Sequence, residues 1–410
     1  MELKPGYKQT NVGSIPEDWE NKQLSEVAEI RSGIAKNSNV TVSDPVSVHY
    51  LRVANVQDGY LDLTDMSQIQ LPKGELSRFA VLPGDLLMNE GGDRDKLGRG
   101  AIWNGQYQPC VHQNHVFVVR CRSAILPEFL NHWTSSSQAR RYFLVAGKQT
   151  TNLASINKTA LGELPVVVPR LVEQSAIATA LSDVDALLDG LDRLIAKKRD
   201  LKQAAMQQLL TGQTRLPGFH GEWEHMPLGD VAEIIMGQSP SSLYYNKIGV
   251  GLPLIQGNAD VEDRKTIRRV FTSQVTKRGQ RGDILMSVRA PVGEVSRATF
   301  DVCLGRGVCA IRFSSDYLYH CLVFMEPTWA KHSKGSTFDS VNSNDVKGFR
   351  VWMPINAEEQ TAIATVLSDM DAELAALEAR RNKTRLLKQA MMQELLTGKT
   401  RLIHKEAAHA

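Results

Sequence analysis

The chain contains one segment twice, and this repeat constrains its fold more than any other feature. Residues 173–216 return as residues 359–402, shifted by 186 positions without a gap, and 28 of the 44 aligned residue pairs are identical. The residues between the two copies match far less well. A sequence that repeats its frame and varies what lies between is typical of a molecule that holds two different surfaces in a fixed relation.

Each copy of the repeat is predicted to form one long helix. Apolar residues recur at alternating steps of four and three, the heptad pattern of helices that pack against a partner helix. A helix of about 38 residues is roughly 55 Å long, so we expect the two copies to form an intramolecular antiparallel coiled coil. Arg380 and Arg381 interrupt the second apolar seam. The predicted core of the helix pair is Ile177, Leu181, Val184, Leu188, Leu191, Ile363, Leu367, Met370, Leu374 and Leu377.

The segments between the helices have the pattern of mixed α/β domains. Short β-like runs, such as residues 116–120 and 308–313, alternate with glycine and proline breaks. Gly-Asp-Leu-Leu-Met at residues 84–88 matches Gly-Asp-Ile-Leu-Met at residues 282–286, so the two domains are distantly related. The predicted fold class is α+β, with a pseudo-two-fold relation between two halves. The predicted limits are 1–169 and 217–355 for the domains, 170–216 and 356–402 for the helices, and 403–410 for a polar tail.

Composition and motif content argue against several classes of protein. No apolar run approaches the roughly 20 residues that span a bilayer, and the N-terminus lacks a signal peptide's apolar core. The five cysteines form no Cys-x-x-Cys pair, so we predict reduced thiols, no metal site and a cytoplasmic protein. We also predict no catalytic residues and no cofactor in this chain. It has no Pro-Pro, which an amino-methyltransferase motif needs, and Gly398-Lys399-Thr400 lacks the first glycine of a phosphate-binding loop.

The order of variable domain, repeated helix, variable domain and repeated helix resembles the specificity subunit of type I restriction-modification enzymes. The resemblance covers nearly the whole chain. It rests on Ile-Pro-Glu-Asp-Trp at residues 15–19, Pro-Gly-Asp-Leu-Leu at residues 83–87, and the Glu-Gln-x-Ala-Ile-Ala starts and Leu-Leu-Thr-Gly ends of the repeats.

This resemblance implies two target-recognition domains, each binding half of a split, asymmetric site on double-stranded DNA. It also implies that the helices set the spacing of the half-sites and dock two modification methyltransferase subunits, which restriction subunits then join. The assembled complex is implied to use S-adenosylmethionine, ATP and Mg through those other subunits.

Loops that mix Arg or Lys with amide and hydroxyl side chains are the best candidates for DNA contact. Cations bind phosphates, whereas amides can read base edges. The net charge is only +3, which permits nucleic-acid binding without arguing for it, because the 48 basic residues could be spread evenly or gathered on one face. Lys148 and Lys334 stand in small polar loops that align between the domains. The predicted DNA-contact residues are Arg94, Lys96, Arg99, Gln113, Asn114, Lys148, Thr150, Thr151, Tyr244, Tyr245, Arg264, Lys265, Arg268, Arg289, Lys334, Ser336 and Thr337.

An alternative of a different class is a coiled-coil adaptor that bridges two protein partners without reading DNA. The loops that diverge between the domains are basic and amide-rich rather than apolar, which favours nucleic acid over protein. Residues 201–204 and 387–390 are more alike than a heptad requires. This similarity predicts where two identical partner subunits would dock.

Overall fold

The computed structural model describes residues 4–35, 44–92, 97–149, 154–332 and 340–403. Contacts divide the chain into a first unit, Met1–Gly190 with Arg380–Ala410, and a second unit, Leu191–Ala379. Each unit combines one domain with parts of both repeats. Because the units divide the chain inside the repeats, the domain limits given above stay a prediction.

Both repeats form uninterrupted helices, termed here the first and second spacer helix. They span Leu171–Leu210 and Ala357–Leu395. Gly212 and Gly398 follow them with φ of +73° and +66°, the left-handed conformation that favours glycine just past a helix end. The second helix continues through Arg380 and Arg381, despite the polar interruption of its seam. The predicted core is buried at Ile177, Leu181, Leu191, Ile363, Leu367 and Leu374, and half-buried at Val184, Leu188, Met370 and Leu377.

Ion pairs join the two spacer helices within the second unit. Lys198 pairs with Glu373 at 2.7 Å, and Lys202 pairs with Asp371. The residue number rises from 198 to 202 on the first spacer helix while that of the partner falls from 373 to 371 on the second. The two segments are therefore antiparallel in this unit. Each of these pairs is partly exposed and contributes little stability by itself. Their order along the helices nevertheless shows the direction of packing.

The domain of the first unit is built on a four-stranded antiparallel sheet. Its strands, in sheet order, are Ala28–Ser32, Val116–Cys121, Leu86–Asn89 and Gly100–Ile102. Smaller sheets join Cys110–His112, Pro45–Leu51 and Ser67–Pro72; Lys148–Gln149, Ala154–Ser155 and Gly91–Gly92; Pro165–Val168 and Glu20–Gln23; and Tyr7–Thr10 and Gly13–Pro16. The helices are Leu24–Val27, Leu76–Phe79, Pro127–Thr134, Ser137–Ala146 and Lys158–Gly162, with 3-10 turns at Val53–Asn55 and Lys73–Glu75.

The domain of the second unit repeats this plan with a six-stranded sheet. Its strands, in sheet order, are Glu233–Met236, Val308–Arg312, Ile284–Ser287, Val295–Arg297, Lys265–Thr266 and Val261–Glu262. Smaller sheets join Tyr245–Asn246, Phe271–Thr272, Leu252–Ile255, Val302–Leu304 and Arg278–Gly279; and Trp223–Pro227 and Arg350–Pro354. The helices are Leu228–Val231, Tyr317–His332 and Ser343–Gly348, with 3-10 turns at Ser242–Tyr244 and Asn258–Asp260.

Each domain shares one apolar core with the spacer helices of its unit. In the first unit, Phe129 and Trp133 lie in the same core as Ile177 of the first spacer helix and Leu395 of the second. In the second unit, the shared core contains Tyr317 and Trp329 of the domain together with Met206, Leu209, Ile363 and Leu367 of the helices. The apolar stripe of the repeat therefore packs on a domain as well as on the other helix.

The Gly-Asp turn that the two domains share has the same structural role in both. Gly84 has a φ of +88°, which turns the chain into strand Leu86–Asn89. The buried Asp85 carboxylate accepts two hydrogen bonds from Arg120, both at 2.7 Å, and these bonds raise the pKa of the arginine. The second domain repeats the arrangement at Gly282, Asp283 and Arg312.

The end of each repeat is joined through an arginine to the first glutamate of the other repeat. In the first unit, Arg401 binds both carboxylate oxygens of Asp18, at 3.0 and 2.9 Å, and both of Glu173, at 2.5 and 2.8 Å. In the second unit, Arg215 binds both oxygens of Glu359, at 2.5 and 2.6 Å. These pairs explain why the first glutamate and the last arginine of the repeat are identical in the two copies.

Candidate nucleic-acid interface

Antiparallel pairing gathers several loops at one edge of the central sheet in the first unit. Two strands, Ala28–Ser32 and Leu86–Asn89, end where a third, Val116–Cys121, begins. The fourth strand begins at the same edge, at Gly100. The loops that meet there form the first loop edge, which comprises residues 33–35, 90–92, 97–99 and 112–115.

The first loop edge carries amide and imidazole groups. His115 Nδ1 lies 2.6 Å from the Glu90 carboxylate, and the His115 carbonyl accepts the Glu90 N–H at 2.9 Å. Asn114 Nδ2 lies 3.3 Å from His115 Nε2. Gln113, Asn114 and Arg99 are half-buried at this edge. The edge thus combines one cation with side chains that can donate and accept hydrogen bonds.

A small sheet brings a further predicted segment to the first loop edge. Gly91 pairs with Ser155, whose strand in turn pairs with Lys148–Gln149. Lys148 is exposed. Strands Gly91–Gly92 and Lys148–Gln149, which are distant in sequence, therefore lie in the same small sheet. The predicted residues Arg94, Lys96, Thr150 and Thr151 lie outside the described residues.

The second unit has an equivalent arrangement, the second loop edge, formed by residues 237–241, 288–294, 304–307 and 340. Strands Glu233–Met236 and Ile284–Ser287 end where Val308–Arg312 begins. Arg289 forms a bridge with Ser340, just as Gly91 pairs with Ser155 in the first unit. The predicted residues Lys334, Ser336 and Thr337 precede Ser340 but lie outside the described residues.

Arg306, which is not among the predicted DNA-contact residues, lies in the second loop edge. It stands two residues before Val308, as Asn114 stands two residues before Val116 in the equivalent strand. Its side chain is exposed, and its backbone N–H donates to Ser239 Oγ at 3.1 Å. Aligning the two strands would have found Arg306, but a single arginine between glycines forms no charge cluster.

Side-chain contacts within the second unit separate its arginines into two groups. Arg264 binds both oxygens of Glu326 at 2.5 and 2.8 Å, and these hydrogen bonds raise the pKa of the guanidinium. Arg268 lies over an aromatic ring, 4.2 Å from its centroid. In contrast, the exposed side chains of Arg289 and Arg306 have no hydrogen-bond or ion-pair partner within the part of the chain that the structure describes. These two guanidinium groups are available to a ligand.

The remaining predicted residues of the second unit lie outside the second loop edge. Tyr244 is 47% exposed, whereas Tyr245 is half-buried and donates its hydroxyl to the Pro240 carbonyl at 3.1 Å. Lys265 is exposed in its short strand. A role in DNA contact stays a prediction for these residues and for the others named above.

Within the described ranges, the cysteines and the other metal-ligating side chains form no reactive cluster. Burial raises the pKa of the Cys110, Cys121, Cys309 and Cys321 thiols to about 12, so these groups are protonated at neutral pH. Among the described residues, no group of three His, Cys, Asp or Glu side chains could hold a metal ion. No helix in those same ranges is both long enough and apolar enough to cross a bilayer.

Comparison with known proteins identifies the family. A model of the type I restriction modification DNA specificity domain matches residues 16–197 and 220–386, which is most of the chain. The chain belongs to this family. Each matched stretch contains one domain and a large part of the spacer helix that follows it. The duplication in the sequence is therefore a duplication of the type I specificity domain.

Individual relatives agree with this membership. The chain is 29% identical to the putative type I restriction enzyme MjaX specificity subunit of Methanocaldococcus jannaschii, over 97% of each chain. It is 23% identical to the EcoKI specificity subunit of Escherichia coli, over 58% of this chain and 52% of that protein. Its fold is similar to that of the type I S subunit of M. genitalium, with a TM-score of 0.62 over 96% of this chain and 98% of that chain, at 13% identity. The predicted family and the α+β fold are confirmed.

Proposed function

We propose that this type I specificity protein binds a split, asymmetric site on double-stranded DNA, one half at each loop edge. The observation that carries the proposal is that equivalent edges of two related sheets differ in chemistry. At corresponding positions the first edge has Gly91 and Asn114, and the second has Arg289 and Arg306. Amide side chains suit adenine, whereas arginine suits guanine and phosphate. Two different binding surfaces favour two different half-sites, while a dimer of one surface would bind a palindrome.

The repeated helices offer two equivalent docking positions for modification methyltransferase subunits. Leu201 and Leu387 occupy the same place in the two copies and are 46% and 54% exposed. Because these leucines leave much of their apolar surface in solvent, their recurrence at the same place in both copies favours a partner-binding role. Two identical positions support two copies of one partner, through which restriction subunits would join.

In this proposal the chain recognises DNA and its partners carry out the chemistry. S-adenosylmethionine, ATP and Mg would then act in the other subunits. The lack of an Asn/Asp-Pro-Pro-aromatic motif supports this division of labour, because such a motif holds the target amine of an amino-methyltransferase. The isolated chain, incubated with S-adenosylmethionine and target DNA, should transfer no methyl group. Any turnover would contradict the proposal.

A methylation map of DNA from cells that carry this gene with its methyltransferase gene tests the main proposal. We expect methylated adenines in one split, asymmetric motif, and we expect their loss when the gene is deleted. If the complex assembles in the parent cells and yet methylation is unchanged in the deletion, the result would favour the alternative of an adaptor that bridges two protein partners.

Arg306→Ala tests the location of the second DNA-binding surface. Loss of a base contact costs about 1–3 kcal/mol and relaxes specificity at one position, so methylation should extend to variants of one half of the motif only. Arg281→Ala is the matched control, because Arg281 is also an exposed arginine but precedes strand Ile284–Ser287 at the opposite edge of the same sheet. Equal effects of the two substitutions would refute the assignment of the second loop edge.

A further inference from the structure

A loop beside the second loop edge exposes several apolar side chains to solvent. This apolar loop comprises residues 242–250. Within it, Leu243, Tyr244, Ile248 and Val250 are 89%, 47%, 84% and 51% exposed. Clustered apolar side chains on a surface mark interaction sites, whereas single ones need no explanation.

The polar groups of the apolar loop hold its shape. The Tyr245 hydroxyl donates to a backbone carbonyl at 3.1 Å. Asn246 Nδ2 donates to the Val250 carbonyl at 2.8 Å, and its Oδ1 accepts the Val250 N–H at 3.0 Å. These groups are occupied by hydrogen bonds within the chain, so the loop presents mainly apolar side chains, together with the hydroxyls of Ser242 and Tyr244 and the exposed cation Lys247.

The apolar loop is continuous with the second loop edge. The Gln238 N–H donates to the Leu304 carbonyl at 2.9 Å, and Ser239 Oγ accepts the Arg306 N–H at 3.1 Å. Residues 238–252 contain no Asp or Glu, and Lys247 is their one charged residue. A surface that adjoins an unpaired arginine and lacks acidic side chains favours a polyanion as the ligand.

We propose that the apolar loop packs against a thymine methyl group in the major groove of the half-site that the second unit binds. This inference rests on the proposed function. The C5 methyl of thymine is the apolar group that base pairs present in the major groove. The side chains of Leu243 and Ile248 carry no hydrogen-bonding group, so they can distinguish a base only through apolar contact.

Replacement of single thymines by deoxyuridine, which lacks the C5 methyl, tests the inference. The complex assembled with the methyltransferase is titrated with duplexes carrying the mapped target, in which each thymine of the second unit's half-site is replaced in turn. Burial of one methyl-sized group corresponds to about a fourfold change in affinity. We expect one replacement to weaken wild-type binding by that factor. The double variant Leu243→Ala/Ile248→Ala should bind the unmodified site at least fourfold more weakly and should be insensitive to the replacement.

Val172→Ala is the matched control, because Val172 is 72% exposed on the first spacer helix. It should leave both the affinity and the response to deoxyuridine unchanged. Wild-type binding that responds to no replacement, or a double variant that responds like the wild type, would overturn the inference while leaving the proposed function intact. Weaker assembly with the methyltransferase, without a change in the thymine response, would assign the loop to protein contact and would also overturn it. Failure of the wild-type complex to select its mapped target would overturn the proposed function itself.

Discussion

Acid should destabilise both units through one buried histidine in each. His132 and His320 are 5% and 2% exposed. Their Nε2 atoms lie 3.1 Å from Ser182 Oγ and 3.0 Å from Ser368 Oγ, on the spacer helices of their units. Burial lowers the pKa of both imidazoles to about 4 from an ordinary value of 6.5. The two serines occupy equivalent positions in the repeat, so both copies contain this contact.

Acid destabilises the fold because these two histidines bind a proton more tightly in the unfolded chain. A histidine whose pKa is lower in the folded chain is protonated more readily when unfolded. Its neutral form therefore stabilises the fold above pH 6.5, and this contribution disappears as the pH falls towards 4. Between pH 7.5 and pH 5.0, such a shift lowers the free energy of unfolding by about 2 kcal/mol per histidine.

Urea unfolding at pH 7.5 and pH 5.0 measures this loss for the wild type, His132→Gln, His320→Gln and the double variant. A glutamine amide can donate to the serine hydroxyl but does not titrate. Each substitution should therefore reduce the fall in unfolding free energy between the two pH values by about 2 kcal/mol. The paired carboxylates are the same in all four proteins, so their contribution to the fall in unfolding free energy cancels in the comparison. A double variant with the wild-type pH dependence, or a buried histidine that titrates near pH 6.5 by NMR, would refute the reasoning.

Arg401→Ala should lower the free energy of unfolding of the first unit by about 3 kcal/mol, because it leaves the buried Glu173 carboxylate without its cation. Urea unfolding measures this change, and a loss below about 1 kcal/mol would contradict a buried-pair role. Lys148→Ala should reduce the slope of log affinity against log salt by about one unit, since one phosphate contact would be lost. Fluorescence anisotropy across a salt series measures the slope, and an unchanged slope would place Lys148 away from the DNA backbone.

The spacer helices and the central strands were predictable because their sequence signals are local. The spacer helices end within three residues of Gly212 and Gly398, the glycines of the Leu-Leu-Thr-Gly stretch that closes each repeat. The β-like runs at residues 116–120 and 308–313 correspond to the observed strands Val116–Cys121 and Val308–Arg312. A period of 3.5, a C′ glycine and a run of β-branched residues each depend only on neighbours in the sequence.

The composition of the loop edges was not predictable, because it depends on strand register. Strands Gly91–Gly92 and Lys148–Gln149 lie in one small sheet because both pair with Ala154–Ser155, and no sequence signal indicates this pairing. Charge counting also failed to separate arginines by their environment. Arg264 stands in a basic cluster with Lys265, Arg268 and Arg269, yet Glu326 occupies its guanidinium. Arg306 stands alone in the sequence, yet its side chain is exposed at the edge.

The Gly-Asp turn that the two domains share contains a carboxylate whose replacement would disturb a buried contact. The carboxylates of Asp85 and Asp283 are buried against an arginine, and removing one partner of such a pair costs several kcal/mol because a buried charge is left uncompensated. Arg289 and Arg306 have one face in solvent, where substitutions usually change stability by less than about 0.5 kcal/mol. The loop edges can therefore diverge in chemistry while the frame stays constant. This difference in cost explains why a duplicated domain came to present an amide-rich surface in one unit and a cationic surface in the other.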